Sequence, residues 1–481
     1  MVICHMDGSD FLGLDPTTAP ARGRTEWLTR RLRSAVTAGT LTTGTRLPAT
    51  RVLADELSVS RGTVVEAYRR LTEEGLLLAN RGGGTVVADL VAAPARGAPT
   101  YGEPSTSSEL LNISEGAPDL TAFPRAAWLR TERRVLAAAT TRDLGYADPQ
   151  GAPELRQALT RWLGRSRGIS TTPDRIIVTA GVTGALSLLS QTLRGRGITG
   201  CAVEDPGAEG NRRILDYWLD DLRPIPVDEN GLDVTALACS DARVALVTPA
   251  HQFPTGVVLS PARRRELVAW AERADGFVIE DDYDSEYRYD RAPVPALHAA
   301  APDRIIHISS LSKVLAPALR IGWMIAPETL HSDLVRRRWA TDLGSPVLPQ
   351  LTLAELIDTG VLERQLRRLR LRHRQRRDAA VASIRRYLPG CRVEGIAAGL
   401  HLLVLLPEDV DDAALAGQAA TAGIAVQPLS GHRFVAGPPG LVIGYGPHPA
   451  ARLEAAIRTI GALAGLAPVD TRGDSGPITR E

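Results

Sequence analysis

The chain has 481 residues, 23% of them charged, and a net charge of +1, so it is long enough for two or three domains that each bury a core. Acids and bases nearly cancel overall, but residues 21–88 hold eleven arginines against six acidic residues, which confines a polyanion partner to that part. No basic and apolar leader opens the chain, no apolar run is long enough to cross a bilayer, and Cys4, Cys201, Cys239 and Cys391 form no CxxC pair; these features exclude a disulfide-built or membrane-spanning protein and lead us to expect a cytoplasmic one.

Residues 1–23 read as an N-terminal extension and 24–88 as a compact unit. Leu28, Leu32, Ala35 and Val36 recur at helical spacing, and a short second helix after Pro48 and Thr50 turns Leu53, Ala54 and Leu57 inward. Ser60 stands where an N-cap belongs, opening a third helix with Val64, Tyr68 and Leu71 on one face and an end near Gly75. Leu76 to Leu78 and Thr85 to Val87 read as strands joined by Arg81-Gly82-Gly83-Gly84. Three helices, a hairpin and excess positive charge are the pattern of a winged helix-turn-helix.

Residues 89–111, rich in Pro, Ala, Gly and Ser, read as a linker. From 112 to 467, short β-rich runs alternate with amphipathic helices such as 183–194 and 261–274, which predicts a mostly parallel sheet covered on both faces. The segment from about 360 carries its own helices and strands and reads as a smaller α+β lobe; 468–481 read as a disordered tail. The run 364–377 (RQLRRLRLRHRQRR) reads as an amphipathic connecting helix with Leu366, Leu369 and Leu371 partly buried, or else as a DNA-facing surface.

Lys313 is the only lysine, against 55 arginines. A guanidinium cannot be deprotonated in a protein, so a chain this committed to arginine keeps a lysine where an amine is required. Between Ser310 and Arg320 stand two hydroxyls, an amine and a guanidinium, a set suited to a phosphate carried on an aldehyde, as in pyridoxal 5'-phosphate (PLP). Upstream, Glu280-Asp281-Asp282-Tyr283-Asp284 closes a strand with a carboxylate cluster that, read alone, also suits a metal. Thr179-Ala180-Gly181-Val182-Thr183 is a strand-to-helix junction whose backbone amides suit a phosphate.

Thr45-Arg46-Leu47-Pro48-Ala49-Thr50-Arg51, Leu57-Ser58-Val59-Ser60-Arg61-Gly62-Thr63-Val64 and Tyr68-Arg69-Arg70-Leu71 resemble the DNA-binding domain of GntR regulators. The resemblance implies operator contacts from Arg46, Arg51, Ser60, Arg61, Thr63 and Arg69, with Gly84 bringing the wing to the minor groove. The segment around Lys313 resembles the lysine motif of fold-type I aminotransferases. That implies Lys313 as the Schiff-base residue, Ser310, Ser312, Arg320, Gly181, Val182 and Thr183 on the phosphate, Asp281 on the ring nitrogen, Tyr283 on the ring hydroxyl, and no metal. Tyr146 resembles the tyrosine that reaches the partner subunit's phosphate, which implies a homodimer.

Three positions depart from the aminotransferase pattern. Phe253 stands where an asparagine meets the ring hydroxyl, leaving His251 or Gln252 as substitutes; Ala208 replaces the ring-stacking aromatic, and Val442 the arginine that binds a substrate's α-carboxylate. The fusion as a whole, over about 24–465, is similar to MocR-type regulators. It implies a multidomain chain: a winged helix-turn-helix, then an α/β fold-type I PLP-dependent transferase-like domain with the smaller lobe. The function implied is a PLP-dependent regulator of double-stranded operator DNA that senses PLP or a small amine or amino-acid effector, with vitamin B6 synthesis as its target in the PdxR-type branch. The competing reading is an active aminotransferase with a vestigial DNA-binding domain.

Overall fold

The computed structural model describes residues 20, 22–80, 84–88, 110–114, 116–290 and 294–467. The expected extension up to 19, the Arg81-Gly82-Gly83 turn, the linker as far as 109 and the tail from 468 lie outside them. The chain divides into two compact units, Met1–Thr106 and Ser107–Glu481.

In the first unit, helices Arg24–Thr37, Thr50–Glu56 and Arg61–Glu73 are followed by an antiparallel hairpin, Leu77–Asn80 with Gly84–Val87. Leu28, Leu32, Leu53, Leu57, Val64 and Leu71 are each no more than 2% exposed and form one core, so three amphipathic faces that are marginal alone are stable together. Ser60 caps the third helix, its Oγ accepting from Thr63 N at 3.2 Å. Gly75, at φ +74°, turns the chain out of that helix.

The second unit is built on an eight-stranded sheet. Its order is Ile176–Thr179, Gly322–Ile325, Ile305–Ser310, Phe277–Asp281, Val244–Val247, Gly200–Asp205, Asp221–Asp228, Gly231–Leu232. The run from Ile305–Ser310 to Asp221–Asp228 is parallel; Gly322–Ile325 is antiparallel to both neighbours. Ile176–Thr179, Val244–Val247 and Phe277–Asp281 are buried at every position, which is why they read as unbroken apolar runs rather than alternating ones. Helices pack on both faces, Pro153–Arg167 on one through a Trp162–Trp323 edge contact at 5.7 Å, and Gly181–Arg194 on the other through Leu186, Leu189 and Leu193.

The smaller lobe is a four-stranded antiparallel sheet, Arg392–Glu394, His401–Leu405, Gly440–Gly444 and Gln427–Pro428, covered by helices Val361–Tyr387, Asp412–Thr421 and Ala450–Leu463. A strand at Leu111–Asn112, across the expected end of the linker at 111, pairs in parallel with Ile424–Ala425 and ties the start of this unit to the lobe. Leu366 and Leu369 are buried as expected, but Leu371 is 66% exposed. Two residues beyond Leu369 is roughly 200° around the helix, so the two leucines face opposite ways. Among the described residues no helix is long and apolar enough to cross a membrane.

Candidate functional site

Lys313 lies in the connection between the core strand Ile305–Ser310 and the returning strand Gly322–Ile325. Leu311, Val314 and Leu315 plug that connection into the core, and Tyr287 Oη donates to Lys313 O at 2.9 Å. Ser312 N donates to Ser310 Oγ at 3.3 Å. Arg320 holds a left-handed backbone, φ +50°, and its Nη2 donates to Ala180 O at 2.6 Å, locking the loop to the start of helix Gly181–Arg194. Glycine is required here: a Cβ on Gly322 would sit 2.8 Å from Gly181 Cα, and Gly181 itself is at φ +76°. The result is a helix N-terminus, two serine hydroxyls and a guanidinium brought together, a set whose chemistry suits a phosphate.

Across the cavity, Asp281 ends the strand Phe277–Asp281 and is 5% exposed. Its Oδ2 accepts from Asn211 Nδ2 at 2.8 Å, while its buried Oδ1 has no hydrogen-bond partner among the described residues. Burial pushes the Asp281 carboxyl up to about 7, with Asp282 and Asp284 adding to the rise and the Asn211 bond opposing it. A buried carboxylate oxygen left open in this way fits a protonated ring nitrogen. Tyr283 Oη donates to His251 O at 3.0 Å, and His251 Nδ1 lies 2.9 Å from Asp284. Burial raises the Tyr283 phenol well above its usual range.

Between these two ends lies a cavity of about 460 Å³. Val182, Thr183, Asp281, Tyr283, Ser310, Ser312, Lys313 and Arg320 all line it, so eight of the residues named from the sequence meet at one place. Gly181 stands directly behind Arg320, its Cβ position 3.5 Å from Arg320 Nη1.

His251 does not line the cavity; it is 4% exposed and packs behind Tyr283. Gln252 turns its amide to Glu204, Pro206 O and Phe253 O. Neither presents a group to the cavity in place of the asparagine, because both are consumed in holding the loop. Phe253 does line the cavity, with ring centroids 4.7 Å from His401 and 5.2 Å from His432. Ala208 also lines it, whereas Val442 is fully buried in an apolar cluster with Leu403 and Leu429. Tyr146 is 94% exposed.

Asn211, Thr248, His401 and His432 also line the cavity, as do Glu209 and Arg213, and none of these was singled out in the sequence. His401 is held neutral by burial, its Nε2 3.2 Å from Pro254 O. Thr248 Oγ1 donates to Glu204 at 2.6 Å, and burial lifts Glu204 to about 7 against the pull of Thr248 and Gln252. His251, Asp284 and His401 bring one ligand atom each within 4.8 Å of one another, but all three are already engaged in hydrogen bonds within the protein.

On the first unit, Arg46, Arg51 and Arg61 are exposed and have no ion pair among the described residues. Gly84 is at φ +84°, and a Cβ there would sit 3.0 Å from Arg46 Nε. Ser60 and Thr63 bond each other, Oγ to Oγ1 at 2.9 Å, at the N-terminus of the third helix. Arg69 differs from the other named arginines: its guanidinium is clamped by Glu66 at 2.7 Å and by Glu73, three residues before it and four after.

The class I and II aminotransferase family matches residues 108–460, and the bacterial regulatory gntR family matches 25–87. The chain is 38% identical over 441 residues to the HTH-type pyridoxine biosynthesis transcriptional regulator PdxR of Corynebacterium glutamicum, covering 90% of this chain and 93% of that one. It is 33% identical over 440 residues to the probable rhizopine catabolism regulatory protein MocR of Rhizobium meliloti, covering 87% and 89%. Among solved structures, an archaeal alanine:glyoxylate aminotransferase superposes with a TM-score of 0.69 at 25% identity, over 74% of this chain and 91% of that one. The kynurenine aminotransferase of Pyrococcus horikoshii shares the fold, with a TM-score of 0.68 at 24% identity over 75% and 91%. The chain belongs to the MocR-type transcriptional regulators, which join a gntR-family DNA-binding domain to a class I and II aminotransferase domain.

Proposed function

We propose that this regulator holds PLP in the cavity at Lys313 and that the cofactor's presence is the signal read out on DNA. The observation that carries the reading is the unpartnered, buried Asp281 Oδ1 in the same cavity as Lys313, Ser310, Ser312 and Arg320. When bound, PLP supplies an aldehyde that takes an amine and a ring that withdraws electrons. Lys313 offers the amine, Asp281 keeps a proton on the ring nitrogen, and Tyr283 meets the ring hydroxyl with His251 and Asp284 fixing its position. Ser310, Ser312, Arg320, Thr183 and the amides of Gly181 and Val182 hold the phosphate.

Val442 in its apolar cluster leaves no cation where aminotransferases bind an α-carboxylate, which favours PLP or a small amine as effector over amino-acid turnover. The relative named for pyridoxine biosynthesis supports vitamin B6 supply as the regulated process. Arg46, Arg51, Ser60, Arg61 and Thr63, with Gly84 at the wing, form the operator-contacting face. A second copy of the chain covers exposed apolar residues that include Leu136, Leu144, Tyr146 and Trp339, with Tyr146 reaching the partner's phosphate site. The place of action is the cytoplasm, where operator DNA is.

Footprinting on the region upstream of the protein's own gene, with and without PLP, tests this for wild type and Lys313→Ala. Wild-type protection changes with PLP and the variant's does not. Absence of binding at every PLP concentration overturns the sensor, and amino-donor turnover at roughly 1–10³ s⁻¹ overturns the regulator in favour of an enzyme.

A further inference from the structure

The helix Val361–Tyr387 carries ten arginines and two acidic residues, a larger excess than that of the whole DNA-binding unit, in a chain whose net charge is +1. One side of the helix is anchored. Leu362, Leu366, Leu369, Ala380 and Ile384 are buried, Arg370 donates to Glu286 O at 2.9 Å, and Arg372 and Arg376 both grip the buried Asp119 at 2.7 and 2.8 Å. The opposite side is an arginine row. Arg367, Arg374 and Arg385 share a narrow stripe with the exposed Leu371 and with Asp378, one turn beyond Arg374, and Arg368 flanks it.

None of Arg367, Arg368, Arg374 and Arg385 makes a hydrogen bond or ion pair among the described residues. Other surface arginines of this unit are paired, as in Arg161 with Asp358, Arg194 with Asp220 and Arg196 with Asp333, and the exposed ones without a partner among the described residues, such as Arg265 and Arg273, lie on other helices. Of the two acids on the helix, Glu363 faces Arg165 and Asp378 faces Arg377. Arg367, Arg368 and Arg374 carry three unpaired guanidinium groups within about 10 Å of helix rise, fixed positive charge that a bound polyanion neutralises.

We propose that this row is a second DNA-contacting surface, which grips the phosphate backbone of duplex flanking the operator. The inference rests on the regulator reading above. From Arg367 to Arg385 the row runs about 27 Å at 1.5 Å per residue, a length matched by roughly eight base pairs. Guanidinium forks suit phosphate oxygens, and contacts of this kind carry no sequence information. A lipid surface is a poorer fit, since Leu371 is the one large apolar side chain on the stripe and an interfacial helix needs a continuous apolar face.

The test compares the full-length wild type with a variant carrying Arg367→Gln, Arg368→Gln, Arg374→Gln and Arg385→Gln. A control loses the same charge at the exposed Arg265, Arg273, Arg452 and Arg458. Affinity is measured across a salt series on two duplexes of equal length, long enough to extend beyond the operator on both sides. One duplex carries the region upstream of the gene and the other a scrambled sequence; melting temperature and PLP absorbance report folding.

Each lost phosphate contact lowers the slope of log affinity against log salt by about 0.9, so the row variant loses about 3 to 4 units on both duplexes while the control keeps the wild-type slope. Equal slopes for the row variant and wild type overturn the proposal, as does an equal loss in the control, which makes the effect one of net charge. If the row variant fails to fold, the single substitution Arg374→Gln decides, with a drop of about 0.9 expected and no drop overturning. Wild type binding both duplexes equally defeats the regulator reading, while the slope difference still decides the row. Loss of binding to anionic vesicles or duplex RNA, with the DNA slope unchanged, assigns the row to that partner and overturns the proposal.

Discussion

Arg46, Arg51 and Arg61 lie on the surface of the first unit with no carboxylate in ion-pair reach among the described residues, whereas Asp281, Glu204 and Glu286 lie buried in the second with burial pushing each up to about 7. The first arrangement leaves fixed positive charge for a polyanion to neutralise, at little cost to the fold because water screens it. The second holds carboxylates close to their own titration and needs compensating partners to exist at all. A surface site of this kind tolerates substitution; a buried one does not.

The largest expected effect lies in the buried network. Arg167 donates through Nε and Nη2 to Asp282 at 2.7 and 3.0 Å, and both side chains are at most 3% exposed. Arg167→Ala leaves Asp282 buried without its cation, a change expected to cost about 3–5 kcal/mol. Urea denaturation followed on the tryptophans of the second unit measures it. A loss under about 1 kcal/mol would show that water reaches Asp282, and the contrast between the two units would collapse.

Asp281 sharpens the contrast by its pH dependence. Its carboxyl titrates near 7 in the folded, cofactor-free protein and near 3.8 in the unfolded chain, so the folded state binds the proton more tightly. The stability this contributes is complete below about 3.8 and is lost as pH rises to about 7. Asp281→Asn cannot titrate, so its urea midpoint falls less than that of wild type over the same interval. Parallel midpoints for the two proteins would mean that Asp281 is ionised throughout.

The parts of the molecule legible in the sequence are those specified by neighbouring residues. Ser60 as a cap, the apolar strands, the Ser310–Arg320 segment and the Gly181 junction each depend on a few consecutive side chains. Asn211, His401 and His432 come from the start of a helix, a strand of the smaller lobe and the end of the short 3-10 helix Leu429–His432, and converge only when that lobe packs against the large sheet. No local pattern marks them. His251 and Gln252 were readable as polar groups near the ring, but their direction is set by Asp284 and Glu204, which lie more than thirty residues away in sequence. Leu371 was misplaced by counting apolar residues without their angle around the helix.

Arg69 is the smallest effect and the closest test of the comparison, because its compensation was also readable at short range. Glu66 and Glu73 stand three residues before and four after it, the spacings at which helical side chains meet, and both hold its guanidinium. An arginine whose charge is already matched releases no counterions when DNA arrives. Arg69→Ala is therefore expected to leave the salt slope of DNA binding unchanged, while Arg51→Ala lowers it by about 1. A fall of that size for Arg69→Ala instead would mean that the glutamates release the guanidinium to phosphate on binding. The outward charge of the first unit would then be set by the DNA as much as by the fold.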